Sequence, residues 1–436
     1  MMNPITIIGD VVVDVTLKTS AEPYKLRLGG ITHAARGAWG LGVGYDVGFF
    51  APSYLDRNIK QYFLQHGCNT LAKLGEVSGA PYVFLIGEAK EVGDQGYEFL
   101  LRDHIEIRYA SGPIQIGAAA DVLLISGNYS TKSILERLNC ENIHIDLANN
   151  VHDLDELKGC GKVFSTIFIS TSSALFKQNF KGDFRAFVEL FKPYCKRLVV
   201  KENRGGSRGF DFTTDELAEI PSQTQPIVHS VGVGDVFDVA CVIHWRDHSF
   251  KEALVLSSWI ASEYALTTFP DDFKTACQRI KNVCVQDLID LGGVFIPWEK
   301  RSDFNIYIAA PDFDFLDTTE IDRVVSSLTY HNFSPRRPIQ ENGQMEPNAE
   351  KSRKRELFDR DMNLMEECKM LVAVILNNDP GTLVEIGFAM GIGMPVIVYD
   401  PYNLAENCML TELPTLVSNS LDEVVSEVFK QAAKLS

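Results

Sequence analysis

The sequence predicts an α/β protein of two domains, each built on a mostly parallel sheet. Three observations predict it. The chain has 436 residues, more than one hydrophobic core usually serves. From its start, short β-branched runs alternate with amphipathic stretches, the rhythm of strand–helix–strand units. After a polar, proline-containing passage from Pro297 to Asp303, the same rhythm begins again. The domains are placed at 1–298 and 303–436.

In chain order, Ile5 to Val15, Tyr82 to Ile86, Asp121 to Ser126, Ile143 to Leu147, Val163 to Ser170 and Arg197 to Lys201 read as strands. Ser133 to Leu138 and Phe184 to Phe191 read as intervening helices, and longer helical patterns cover Asp235 to Trp245 and Phe250 to Thr268. In the second domain, Ile306 to Ala310, Met370 to Leu376 and Val396 to Tyr399 read as strands. Ile321 to Tyr330, Asp359 to Glu367, Leu383 to Met390 and Leu421 to Ala433 read as helices. The stretch from Ser334 to Lys354, rich in Pro, Asn, Gln, Lys and Arg, reads as one long mobile loop.

Composition narrows the function classes. A hydrophobic fraction of 45% and a charged fraction of 23% are those of a soluble globular protein. The formal net charge of -17 argues against a nucleic-acid partner, because gripping a phosphate backbone needs a positive surface. Small phosphorylated ligands need only a local site. No segment approaches the ~18 uninterrupted apolar residues of a membrane span, so no membrane partner is expected. The opening residues lack a secretory pattern. Nine cysteines, an odd number with no CxxC pair, suit neither a disulfide framework nor a zinc site. Reduced, mostly buried thiols and a cytoplasmic location are expected.

The segment Asp379-Pro380-Gly381-Thr382-Leu383-Val384-Glu385 follows an apolar strand, turns, and opens a helix. Ligands of open α/β sheets bind at the carboxyl ends of such strands. Glu385 falls in the first turns among Leu383, Ile386 and Phe388. Alone, it would be an acid that complements the helix dipole. It has company in Asp361 and Asp379. Paired carboxyls suit cleavage of a glycosidic bond, one as nucleophile at the sugar carbon and another managing the leaving group.

At these residues the second domain resembles the nucleoside 2-deoxyribosyltransferases. The opening strand I-Y-x-A-x-P is seen as Ile306 to Pro311, and an Asp-led helix as Asp361 to Met365. The signature D-x-G-T-x-x-E-x-G-x-A is seen as Asp379 to Ala389, and Asn407 matches a later Asn loosely. The resemblance implies a Rossmann-like (flavodoxin-like) fold and a glycosyl-enzyme at Glu385. It implies that Tyr307 orients that carboxylate, and that Asp379 and Asp361 hold the base and aid its departure. Asn407 would bind the sugar across a subunit boundary, which implies a homo-oligomer. It implies no cofactor for this chemistry. Arg336 and Arg337, in the long loop, are candidates to pair with a 5′-phosphate.

In the first domain, Val231-Gly232-Val233-Gly234-Asp235 leads into a helix. Such a start aims backbone N–H groups at one point, an anion site, and an adjacent Asp can take a proton from an attacking hydroxyl. The alternative is a glycine turn with a capping Asp. Gly9-Asp10 with Asp14, then Gly29-Gly30, then Asp146, Lys201 and Gly205-Gly206, precede it in order. This order resembles the ribokinase-like (PfkB) sugar and nucleoside kinases over about the first 290 residues. The resemblance implies an α/β/α fold, an anion hole at Gly232, Val233 and Gly234, Asp235 as base, and Asp14, Gly29 and Gly30 at the sugar. It also implies ATP and Mg2+, if the domain is active. The sequence departs from that family. His229 stands where the D-T-x-G-A-G-D motif begins, His33 replaces the Asn after Gly-Gly, and no N-x-x-E follows Phe168 to Ser170.

The expected function is therefore cleavage or transfer of the N-glycosidic bond of a nucleoside or nucleotide. One alternative makes the kinase-like domain a ligand sensor or scaffold for that single activity. Another is an active sugar or nucleoside kinase with the second domain as accessory.

Overall fold

Strand Ile5–Asp10 is buried along its whole length, as a parallel strand covered on both faces must be. It lies inside a ten-stranded sheet of mixed α/β architecture. The computed structural model describes residues 4–18, 23–79, 82–96, 98–100, 104–114, 121–147, 151–346 and 348–436. They divide into two units, one of residues 1–90 and 95–295, the other of residues 91–94 and 296–436.

In the first unit the strand order is Glu216–Ile220, Ser207–Asp211, Arg197–Lys201, Thr166–Ser170, Asn142–Asp146, Asp121–Ile125, Ile5–Asp10, Tyr45–Ala51, Cys68–Ser78, Glu106–Tyr109. Pairing is parallel from Arg197–Lys201 to Cys68–Ser78 and antiparallel at both margins. The expected strand from Ile5 to Val15 is two strands. After Asp10 the chain leaves the large sheet, and Val13–Thr16 joins a smaller four-stranded one between Lys25–Leu28 and Val83–Ile86. The switch is held by backbone bonds, Val11 N–H to the Phe50 carbonyl and Val13 N–H to that of Tyr82. Tyr45–Ala51 was not expected as a strand. It is buried throughout, yet its sequence YDVGFFA has few β-branched residues.

Helices Thr32–Gly40 and Val233–His244 pack together, with Gly37 of the first lying against Val236 and Val239 of the second. Ser249 and Glu252 form a reciprocal cap at the start of helix Phe250–Ala265.

The second unit holds a parallel five-stranded sheet in the order Ser334–Arg336, Asn305–Ala309, Met370–Val374, Val396–Tyr399, Leu416–Ser418. Numbered along the chain this is 2-1-3-4-5, the flavodoxin-like order. The order reverses between Asn305–Ala309 and Met370–Val374, and the carboxyl ends of strands at such a reversal are where open α/β sheets bind ligands.

The stretch from Ser334 to Lys354 is not one loop. It contains strand Ser334–Arg336, helix Pro338–Asn342 and the first turn of helix Lys351–Glu366; Pro347 lies outside the described residues. The long helix hid because its first half has no apolar stripe. Ion pairs at helical spacing run along it, Arg353–Glu356, Arg355–Asp359 and Glu356–Arg360. Among the described residues no cysteine forms a disulfide, and only Cys284 and Cys408 are exposed. Among the same residues, no helix is long and apolar enough to cross a membrane.

Candidate active site

Helix Pro380–Gly391 starts where its sequence says it should. Asp379 is the N-cap, its Oδ2 accepting from Thr382 N at 2.7 Å and Thr382 Oγ1 at 2.9 Å, and Pro380 fills the first helical position. This cap aims the helix from the end of strand Met370–Val374 and carries Glu385 beside the strand-order reversal. Across that reversal stands Tyr307, fully buried in strand Asn305–Ala309. Its hydroxyl donates to Glu385 Oε1 at 2.7 Å.

Glu385 is half-buried, and burial pushes its carboxyl up to about 7. The Tyr307 bond opposes this, and the nearby charges of Asp361 and Asp379 add to it. Asp361, on helix Lys351–Glu366, is also raised by burial, opposed by a bond from Asn342 Nδ2 to its Oδ1 at 2.8 Å. Burial, aided by Glu385 and Asp361, raises the Tyr307 phenol, which therefore stays a donor. Glu385 thus feels the other three groups that the sequence singled out, Tyr307, Asp361 and Asp379. A carboxyl shifted by burial and by specific neighbours at such a sheet position marks a candidate functional site.

Asn407 is placed differently. It is exposed and caps the short helix Cys408–Glu412, its Oδ1 accepting from Met409 N at 2.9 Å. Arg336 and Arg337 are not unpaired loop cations. Arg336 holds Glu341 at 2.6 Å and Glu367 at 3.3 Å; Arg337 holds Asp312 at 2.5 Å and Asp322 at 2.7 Å.

In the first unit, Gly232 caps helix Val233–His244 with a left-handed backbone, φ 77°. A Cβ at Gly232 would lie 2.1 Å from His33 Cγ, and one at Gly29 would lie 2.1 Å from Asp14 Oδ1. Only glycine admits these approaches. Gly30, also left-handed at φ 61°, turns the chain between them. His33 links the two glycines' neighbours. Its Nε2 lies 3.0 Å from Asp14 Oδ2 and its Nδ1 2.7 Å from the Tyr264 hydroxyl. Burial lowers the His33 imidazole to about 4, so it is neutral, with Nε2–H donating to Asp14 and Nδ1 accepting from Tyr264.

Asp235 is half-buried in the first turn after Val233 and Gly234. Burial raises it to about 7, with Asp146 adding and Lys201 opposing. The sequence reading gave Lys201 and Asp238 no role here. Lys201 Nζ lies 2.7 Å from Asp238 Oδ2 and 3.1 Å from Asp146 Oδ2. Burial disfavours its charge, but these carboxylates raise it above its ordinary value. The available signal was Asp238 itself, a fully buried acid in the apolar run VFDVACVI. The magnesium that the kinase resemblance implies would need only one or two protein carboxylates beside the phosphates of ATP, and Asp146, Asp235 and Asp238 are the carboxyls near Lys201. Two of the carboxylates already hold the Lys201 ammonium. Among the described residues, no group of three His, Cys, Asp or Glu is placed to hold a metal ion.

The family model described as nucleoside 2-deoxyribosyltransferase matches residues 306–421. It recovers the resemblance read from about Asn305 to the C-terminus. No curated protein matches the chain. Among solved structures, the chain is similar to the Methanocaldococcus jannaschii nucleoside kinase, an archaeal member of the ribokinase family. Identity is 13% and the TM-score 0.47, covering 65% of this chain and 99% of that one. Ribokinase from Giardia lamblia gives 14% identity and a TM-score of 0.48, covering 66% of this chain and 100% of that one. Arabidopsis thaliana ribokinase, solved with ribose and ATP, gives 13% and 0.45, covering 65% and 100%.

Proposed function

We propose that the second unit cleaves or exchanges the N-glycosidic bond of a nucleoside or nucleotide through a glycosyl-enzyme at Glu385. The observation that carries this reading is the Tyr307–Glu385 hydrogen bond, formed where the strand order reverses and flanked by Asp361 and Asp379. Tyr307 occupies Oε1, so Oε2 is the oxygen that attacks C1′. As the C1′–O bond forms, the C1′–N bond breaks and its electron pair leaves with the base. A proton from Asp361 or Asp379 neutralises the base. A second base or a water then attacks C1′ and returns the Glu385 carboxylate. The attacking group's proton goes to the carboxyl group that gave one up.

The test is chromatography of purified protein with deoxynucleosides, ribonucleosides and their 5′-monophosphates, with and without a second free base. Free base without an acceptor identifies a hydrolase. A new nucleoside only with the acceptor identifies a transferase. No product in either arm, with Glu385→Ala equally inert, rejects the reading.

We infer from the family resemblance a homo-oligomer in which the Asn407 amide meets a neighbouring copy's site. The apolar pair Val384 and Phe388, one helical turn apart and both exposed on helix Pro380–Gly391, with Ile392 exposed just past its end, supports such an assembly.

A second reading concerns the first unit. Asp14, His33 and Tyr264 satisfy one another, and Lys201 pairs with Asp146 and Asp238. These pairings favour a ligand-sensing or scaffolding role for that unit over an ATP-dependent kinase. Magnesium-dependent ATP consumption with a sugar or nucleoside would overturn this.

A further inference from the structure

The segment before helix Lys351–Glu366 carries a residue that no motif singled out. Helix Pro338–Asn342 is pinned at its start by Arg337, whose Nε and Nη2 contact both oxygens of Asp312 at 2.7 and 2.5 Å. Asp312 lies just after the strand that bears Tyr307. Arg337 also reaches Asp322, on helix Thr319–Tyr330, at 2.7 Å. Arg336 grips Glu341 from the same side at 2.6 Å. At the far end of this anchored element, the Asn342 amide donates to Asp361 Oδ1 at 2.8 Å. An amide presented by a fixed element sets an orientation that a mobile loop could not.

We propose that Asn342 is a positioning residue for Asp361, holding Oδ1 as an acceptor and leaving Oδ2 to meet the departing base. This rests on the glycosidic reading of Glu385 and Asp361. The chemistry is specific to the atom. An amide N–H only donates, so the oxygen it engages stays an acceptor, and the proton of the acid form resides on Oδ2. From there it passes to the base nitrogen as the C1′–N electron pair arrives. The groups facing Asp361 are few. Glu385 and Tyr307 feel its charge from the neighbouring helix and strand, Asn342 bonds it from helix Pro338–Asn342, and Arg360 beside it is paired with Glu356.

Donation by Asn342 favours the ionised carboxyl and opposes burial. Removing it must therefore raise the pH at which Asp361 titrates. The experiment follows that titration by carbon NMR of aspartate-labelled full-length protein, assigned with Asp361→Asn, in wild type, Asn342→Leu, Asn342→Gln and Asn342→Asp. Base release is measured on the same samples across pH. In Asn342→Leu the titration is expected to rise by roughly one pH unit. Asn342→Gln keeps the donor and should stay near wild type. The ratio of Asn342→Leu to wild-type base release should then climb as pH rises through the Asp361 range, because more of the variant remains protonated. A merely structural role would leave that ratio constant. An unmoved titration in folded Asn342→Leu overturns the proposal. If that variant does not fold, an unmoved titration in Asn342→Asp, where a second carboxylate replaces the donor, overturns it equally. Wild type that releases no base from any substrate overturns the glycosidic reading instead, while the titration still reports whether Asn342 holds Asp361.

Discussion

Tyr307 brings a hydroxyl from the middle of a buried strand to a carboxylate that would otherwise ionise reluctantly. Removing that hydroxyl isosterically should raise the pH at which Glu385 ionises, because the bond favours the charged form. Tyr307→Phe should therefore lose more base release at pH 6 than at pH 9, by roughly tenfold. Paired rate measurements at the two pH values check this, and an equal loss at both would contradict it. The nucleophile itself should be irreplaceable, and Glu385→Ala should lower base release by roughly 10⁴-fold or more. Glu385 also strains the fold. Its folded value of about 7 lies above the ordinary 4.5, so the native state holds its proton more tightly than the unfolded chain. Stability is then lost as pH climbs from the unfolded value to the folded one. Glu385→Gln should melt above wild type at pH 8 and level with it at pH 4. Thermal unfolding at the two pH values decides it.

At the scale of elements, helix Pro380–Gly391 gives Asp379 two tasks that substitution can separate. Asn caps a helix about as well as Asp, whereas Ala costs about 1 kcal/mol. Asp379→Asn should keep the wild-type melting temperature and reduce base release. Asp379→Ala should reduce both. Loss of stability without loss of activity in the Ala variant would leave Asp379 as a cap alone. The exposed Val384 and Phe388 lie on the same helix, with Ile392 just past its end. Phe388→Glu should lower the mass seen by light scattering if copies associate through it, and an unchanged mass would place the association elsewhere.

At the scale of the molecule, each unit contains its own candidate site, and the charges that perturb Glu385 and Asp235 come from within their own units. Asp235→Asn should thus leave base release within about twofold of wild type, as expected of sites sharing no partners. Abolished base release in a folded Asp235→Asn protein would show that the two sites are not independent.

What is local is legible in the residues alone. Strand Val396–Tyr399 and the helix that Asp379 caps were readable because apolar runs, caps and a Pro at the first helical position act over a few residues. Where the local signal was weak, the reading failed. Tyr45–Ala51 is a strand because of where it is buried, and the front of Lys351–Glu366 is helical through ion pairs rather than an apolar stripe. Which side chains meet is settled by the folded chain. Tyr307 and Glu385 are 78 positions apart, Lys201 and Asp238 are 37 apart, and Asn342 and Asp361 are 19 apart. Those meetings depend on strand order and on how each helix is aimed. No propensity within one segment encodes them, because they follow from burying every segment's apolar surface at once.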